Sequence, residues 1–300
     1  MLFNSMAFAI FLPIVFILYY LVPHKYRWLF LLAASYAFYM NLHPGYGLLL
    51  LFTTVLTYTL ARTLERTPAA ARRKLCLFSG ILPLVLILLL YKTAAPVIGR
   101  LNEMIAAGKL SLQPLTLTLL LPAGVSFYFF QSMGYLIDVY RGKCRAERHF
   151  GYYALFVSFF PQLLSGPIGR AESLLPQYRK ERPFVYENVT YGLKLMVWGY
   201  FKKLVIADVF AATVNNVYDN AQSYVGLAFL VATLMFAIEI YCDFSGYSDI
   251  AIGCARLFGI ELMTNFKSPY LSFSIREFWS RWHISLSTWF RDYVYIPLGG

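Results

Sequence analysis

Long apolar runs, broken by short polar and basic stretches, dominate this 300-residue chain. A membrane-spanning helix needs roughly 20 predominantly apolar residues. On that pattern residues 6–22, 46–60, 75–91, 115–135 and 224–241 predict spanning helices. Residues 28–39 form a shorter apolar run continuous with its flanks. Residues 191–214 are long enough but carry Lys194, Lys202 and Lys203, which predicts a bend or a partly interfacial helix. Residues 244–258 are a marginal span.

One stretch breaks the pattern. Residues 152–164 are apolar but short, and Pro161 and the run SGPIG interrupt them. Arg170, Arg179, Lys180 and Arg182 follow. A full crossing would carry these cations to the far side, whereas a re-entrant hairpin keeps them with the other basic loops. Irregular backbone survives at membrane depth only when it is buried in protein or lines a wet cavity. Residues 161–169 are therefore a candidate cavity wall, with a simple interfacial loop nearly as good a reading.

Towards the C-terminus the period changes. A helix over residues 274–293 would place Ile275, Phe278, Trp282, Leu286, Trp289 and Tyr293 on one apolar stripe. Glu277 and Arg281 make an i,i+4 pair on a second face. Arg276, Ser280, His283 and Ser287 form a narrow polar stripe. Aromatic residues interleaved with arginines suit a helix at the membrane interface.

Composition strengthens the membrane reading. Hydrophobic residues make up 59% of the chain and charged residues 14%. A soluble domain averages about 45–50% apolar and about 25% charged. The surplus exceeds what one core can bury, so lipid must cover it. The expected fold is an all-α, polytopic transmembrane helical bundle with short, re-entrant and interfacial helices, one continuous domain over residues 1–300. The start, MLFNSMAF, lacks a basic leader and a small-residue cleavage site, so the first apolar run reads as a retained helix.

The net charge of +11 reads as topology and not as nucleic-acid binding, because the cations fall between apolar segments. With the N-terminus outside, Lys25, Arg27, Arg62, Arg66, Arg72, Arg73, Lys74, Arg141, Lys143, Arg145 and Arg148 lie inside. Only Lys92, Arg100 and Lys109 lie outside, an 11-to-3 bias for an extracytoplasmic N-terminus. Cys76, Cys144, Cys242 and Cys254 have no metal or redox spacing and read as inert thiols.

Candidate chemistry lies in residues 236–300. Walker A, GxSxG, dinucleotide-fingerprint and HExxH patterns are missing from the chain. Glu239 and Asp243 share a helix face, and Asp249 follows beside Gly246 and Ser248. Carboxylates there are costly unless paired or hydrated, so they mark either a polar site or ion pairs with Lys267, Arg256 or Arg276. His283 stands among hydroxyls and an arginine, next to Trp282, and imidazole is the side chain best placed to move protons near neutral pH. His24, His43 and His149 read as solvated or interfacial.

The block RWHISLSTWFRDYVYIPLGG resembles the signature region of the membrane-bound O-acyltransferases, in the branch that includes the alginate O-acetyltransferase membrane subunits. MLFNSMAFAIFLPIVFILYYLVP, LPAGVSFYFFQSMGYLIDVYRG, FFPQLLSGPIGRAESLLPQY, YCDFSGYSDIAIGCARLFGI and NFKSPYLSFSIREFW resemble further blocks of that branch, so the likeness runs along essentially the whole chain. The resemblance implies helices ringed around a central funnel in the cell (inner or plasma) membrane. It implies acyl transfer from a thioester donor, acetyl-coenzyme A, with no bound cofactor or metal. The acceptor would be hydroxyls of an extracytoplasmic polysaccharide. The implied partners are an acetyltransferase with a serine nucleophile and a polysaccharide synthesis complex. His283 is then the expected catalytic residue, acting as base, with Trp282, Arg281, Ser287, Asp243, Asp249 and Arg276 as tunnel or support residues.

The resemblance also implies a second histidine, in a later Trp-His-Gly motif. Trp282–His283 is the only Trp-His pair in these 300 residues. The chain is therefore expected to be a fragment of a longer protein, or else a truncated form of doubtful activity. D-alanyl transfer to teichoic acid, a transporter using Glu239 and Asp243, and a non-catalytic scaffold are the competing readings.

Overall fold

A computed structural model describes residues 1–107 and 122–300. The described chain runs through α1 (Met6–Leu21), α2 (His24–Met40), α3 (Pro44–Arg66), α4 (Ala70–Ala106), α5 (Val125–Tyr140), α6 (Phe150–Ser158), α7 (Phe160–Leu163) and α8 (Ala171–Arg179). It continues through α9 (Tyr186–Tyr200), a π-helical segment (Phe201–Ala207), α10 (Asp208–Asp219), α11 (Gly226–Leu257), α12 (Ile275–Arg281) and α13 (Ile284–Phe290). Helix is the form that satisfies every backbone polar group within one segment, which is what lipid demands.

Three helical stretches are long and apolar enough to cross a membrane: Pro44–Arg66, Ala70–Ala94 and Gly226–Leu257. The shorter α1 is apolar as well. Large apolar side chains stand outward on them, including Ile10, Ile14 and Ile17 on α1, Leu75, Leu82 and Leu86 on α4, and Leu227 and Leu234 on α11. A surface of that kind is stable only under lipid. The protein is a multi-pass, all-helical membrane protein.

Several sequence boundaries are corrected. Residues 224–241 and 244–258 are one continuous helix, α11. Gly246 and Gly253 let it pack closely on α9. Residues 75–91 sit inside the 37-residue α4, so Lys92 and Arg100 lie on a helix and not in a loop. Lys25, Arg27, Arg62, Arg66, Arg72, Arg73 and Lys74 also occupy helix ends. Of the expected span 115–135, residues 115–121 lie outside the described residues, as does Lys109; its remainder enters α5.

The core joins the N-terminal helices to the rest. Phe38 of α2, Phe160 of α7 and Phe258 after α11 are fully buried, with ring centroids 5.5 Å apart for Phe38–Phe160 and 5.9 Å for Phe160–Phe258. Tyr20 donates to the Leu257 carbonyl (2.7 Å), and Tyr200 donates to the Phe3 carbonyl (2.8 Å). The awkward stretch 152–164 becomes α6 and α7, separated at Phe159 and buried almost throughout. Residues 161–169 are packed in protein and not laid on a surface. Gln131 donates to the Phe156 carbonyl and accepts from Gly169 N (3.2 Å), and Gln162 donates to the Pro167 carbonyl (2.8 Å). Of this stretch, Gly169 borders a cleft beside Gln131 and Trp289 that is too narrow for water, so the stretch acts as a buried strut.

α9 and α11 approach through facing glycines, Gly192 against Gly253 and Gly199 against Gly246. Small residues allow such backbone contact in a membrane. The π segment follows at once. Its wider turn lets adjacent lysines both reach α11: Lys202 pairs with Asp249 (2.6 Å) and donates to Ser245 (2.9 Å), while Lys203 pairs with Asp243 (2.6 Å) and Asp208 (2.8 Å). π turns are rare and concentrate at functional sites.

Candidate active site

The helix expected over residues 274–293 is broken into α12 and α13, and the candidate site lies at the break. α12 starts on Ser274, whose hydroxyl accepts from Glu277 N (3.1 Å), and the Glu277–Arg281 pair lies along it as its spacing predicts. After Arg281 the chain leaves the helix. Trp282 is extended, and His283 adopts the left-handed conformation (φ 42°, ψ 54°). A non-glycine residue there is uncommon and costs of the order of 1 kcal/mol or more, so the surroundings must hold it. The polar stripe of Arg276, Ser280, His283 and Ser287 therefore does not exist as one face. The helical period is real on each side, but its phase is lost at His283.

What holds the break is an extended strand of chain from the α11–α12 connection. Lys267 N donates to the Arg281 carbonyl (3.0 Å), and Ile284 N donates to the Asn265 carbonyl (2.9 Å). Ser285 N donates to Asn265 Oδ1 (3.1 Å), and Asn265 Nδ2 donates to Ser248 Oγ on α11 (3.2 Å). At its far end α13 and the π-helical segment Arg291–Tyr295 that follows it are pinned to α5 and to Arg170. Trp289 Nε1 donates to the Phe130 carbonyl (2.8 Å) and Tyr293 donates to Asp138 (2.6 Å). Arg170 pairs with Asp292 (2.9 Å) and lies over the Tyr293 ring (4.5 Å).

His283 is 6% exposed. Its ring sits against Phe244 (4.6 Å), Phe127 (6.3 Å) and Phe266 (6.3 Å). It also caps α13: Leu286 N–H is shared between the His283 carbonyl (3.0 Å) and Nδ1 (3.3 Å). Nδ1 therefore acts as an acceptor. In a neutral imidazole the proton then sits on Nε2, which makes no hydrogen bond among the described residues. His283 lies outside the long apolar helices α3, α4 and α11 and outside the shorter apolar α1. Burial among apolar rings lowers its pKa to about 4, so it is neutral near pH 7.

The other expected site residues divide. Trp282 is part of an aromatic stack with Phe278 (5.5 Å) and Phe266 (5.2 Å). Ser287 donates to the Trp282 carbonyl (3.0 Å) and borders a groove of about 310 Å3 with Trp279, Ser280, Ile284, Thr288 and Arg291. Arg281 is engaged by Glu277. Arg276 is exposed and makes no ion pair among the described residues. Asp243 and Asp249 are paired, but with Lys203 and Lys202 and not with Lys267, Arg256 or Arg276. Arg256 goes instead to Glu261, and Glu239 makes no ion pair among the described residues. Lys202, Asn265, Phe127 and Phe244 were missed. Three lysines, Lys194, Lys202 and Lys203, inside an otherwise apolar run were the available signal for Lys202; Asn265 gave none. His24, His43 and His149 cap or bridge backbone at exposed or half-exposed positions, as expected.

The sequence model of the membrane-bound O-acyltransferase family matches residues 145–300, which contain Ser248, Asn265 and His283 but not Phe127, Phe130 or Asp138 of α5. The chain belongs to the membrane-bound O-acyltransferase family. The likeness extends beyond the matched half. A probable alginate O-acetylase, AlgI, of Pseudomonas aeruginosa is 42% identical, covering 100% of this chain and 58% of that protein. A peptidoglycan O-acetyltransferase of Helicobacter pylori is 35% identical, covering 100% and 62%. A teichoic acid D-alanyltransferase of Streptococcus thermophilus is 31% identical over 58% of this chain and 43% of its own. The chain thus spans about three fifths of the length of the relatives that cover it end to end.

Proposed function

We propose that this family member moves an acetyl group from a cytoplasmic thioester donor to hydroxyls of an extracytoplasmic polysaccharide, with His283 at the reacting centre. The observation that carries the reading is the buried, left-handed His283, whose Nδ1 is committed to α13 and whose Nε2 has no protein partner among the described residues. Backbone strain and an unshared polar atom in an apolar cage are what a preorganised site looks like.

In the reaction the acceptor oxygen bonds to the thioester carbonyl carbon, the C–S bond breaks, and the hydroxyl proton ends on the departing thiolate. Negative charge develops on the carbonyl oxygen in between. A neutral imidazole donating from Nε2 suits that oxygen, so His283 is better cast as oxyanion donor than as base. Another group then takes the hydroxyl proton.

Acetyl-coenzyme A is the proposed donor. Arg62, Arg66, Arg145 and Arg148, with Glu65, enclose a basic hollow of about 520 Å3. With the N-terminus extracytoplasmic this hollow faces the cytoplasm and would attract the donor's phosphates. The polymer would lie outside the inner membrane, and a serine-nucleophile acetyltransferase within a polysaccharide synthesis complex would complete delivery. Full-length likeness to O-acetylating relatives supports acetyl over D-alanyl transfer, for which the likeness covers 58% of the chain.

The test is His283→Ala in the chromosomal gene, with ester-linked acetate measured on the cell's exopolymers. Loss of acetate at normal protein level supports the reading; unchanged acetate removes His283 from the reaction.

A further inference from the structure

The first three N–H groups of α13 need partners outside the helix. Asn265 supplies two of them: its carbonyl takes Ile284 N–H and its Oδ1 takes Ser285 N–H. His283 supplies the third through Nδ1 and its own carbonyl, on Leu286 N–H. A capping side chain ordinarily accepts from either the second or the third N–H of its helix. His283 is confined to the third because Asn265 already occupies the second. Asn265 is itself 0% exposed, and Ser248 fixes which way its amide faces by accepting from Nδ2.

We propose that Asn265 is the positioning residue of this site: by occupying Ser285 N–H it sets the direction of the His283 ring and of its free Nε2. The inference rests on the proposed role of His283. The same amide also joins the site to α11, one residue from Asp249 and its Lys202 partner. A shift of α11 against α9 would therefore reach His283 through Ser248 and Asn265.

The alternatives for Ser285 N–H make the consequence concrete. In Asn265→Ala the Ser285 N–H loses its acceptor in a buried place, where an unsatisfied donor is costly. A capping side chain can serve the second N–H of its helix as well as the third, so the His283 ring turns from Leu286 towards Ser285 and Nε2 leaves its aim. Asn265→Asp keeps an oxygen on Ser285 N–H and lets the Ser248 hydroxyl donate instead.

The experiment measures initial rates of polymer acetylation against acetyl-coenzyme A concentration in inverted membrane vesicles, together with 15N spectra of histidine-labelled protein. For Asn265→Ala we expect kcat to fall by about 10-fold or more, as misaimed groups do, with KM changed less than about 2-fold. The His283 nitrogen signals should broaden or move, and Asn265→Asp should recover most of the rate. Wild-type kcat and an unmoved His283 signal in Asn265→Ala would overturn the proposal. Should that variant fail to accumulate, Ser248→Ala frees the amide to turn over without disturbing the backbone. It should lower kcat about 3-fold and broaden the same signals, and no change in either overturns the proposal equally. His283→Ala separates the two layers: full activity there defeats the role of His283 itself, whereas inactivity there with normal Asn265 variants defeats only the positioning.

Discussion

Gly199 of α9 and Gly246 of α11 meet backbone to backbone. A Cβ placed on Gly199 would stand 2.7 Å from the Gly246 carbonyl oxygen, and one on Gly246 would stand 2.8 Å from that of Gly199. Neither oxygen can yield, because each belongs to a continuous helix. Gly192 and Gly253 repeat the contact two turns away. This approach is what brings the π segment close enough for Lys202 to reach Asp249.

Gly199→Leu should therefore force α9 from α11 and lose the lysine pairs as well. We expect a fall in melting temperature of the detergent-solubilised protein equivalent to about 2 kcal/mol or more, in the range of overpacking changes. Gly99→Ala is the control. Gly99 lies within α4 with open space around its would-be Cβ. Alanine there should be neutral or stabilising by about 0.5–1 kcal/mol. A Gly199→Leu protein that melts like wild type would show that the two helices are not in contact.

Lys202 offers a second test, because it is 6% exposed and its ammonium is shared by Asp249 and Ser245. Removing one partner of a fully buried pair strands the other charge at a typical cost of about 3–5 kcal/mol; the Asp249 side chain is 22% exposed, so the loss here falls towards or below the lower end of that range. Lys202→Met should thus lower the melting temperature sharply, and Lys202→Met/Asp249→Leu should recover much of the loss. If the double variant is as unstable as the single one, the pair is not what Lys202 contributes.

These contacts show what the sequence could and could not convey. Among the described residues, the apolar runs marked the three helices long and apolar enough to span, because lipid imposes length and composition locally. The Glu277–Arg281 pair was equally legible, since i,i+4 spacing fixes it. The break at His283 was not. The periodic stripe from Ile275 to Tyr293 continues through it numerically, and the bonds that overrule it come from Asn265, 18 positions earlier in the chain. Likewise nothing local to Asp249 names Lys202 as its partner, because the pairing depends on two glycine contacts and a π turn. His283 was expected as a base from imidazole chemistry and from the family likeness together. Under the proposed function, the capping bond from Leu286 N–H to Nδ1 leaves the proton on Nε2 and casts the ring as a donor.

That reassignment separates two substitutions at His283. Glutamine keeps an N–H donor on a side chain of similar reach and offers no base of useful strength. If His283 donates to the oxyanion, His283→Gln should retain a measurable fraction of polymer acetylation while His283→Ala loses it. Losing one such donor typically costs about 100- to 1000-fold in kcat, so the two variants are separable by ester-linked acetate. Equal loss in both, at equal protein levels, would return His283 to the role of base.

The pH dependence tests the same assignment from another side. Burial lowers the His283 pKa to about 4, against roughly 6.5 in an unfolded chain. Between those values the unfolded chain binds a proton that the folded protein does not. Stability from this group is therefore whole above about pH 6.5 and declines as pH falls towards 4, by about 3 kcal/mol at most. Melting temperature should drop over that window in the wild type and drop less in His283→Gln, which has nothing to titrate. Activity should behave differently. A neutral donor is the working form, so kcat should show no His283 inflection near pH 6.5, and protonation should remove it only near pH 4. An imidazole acting as base with an ordinary pKa would instead halve the rate near pH 6.5. An inflection there that vanishes in His283→Gln would mean that the ring is open to water in the working enzyme and that its Nε2 accepts the proton.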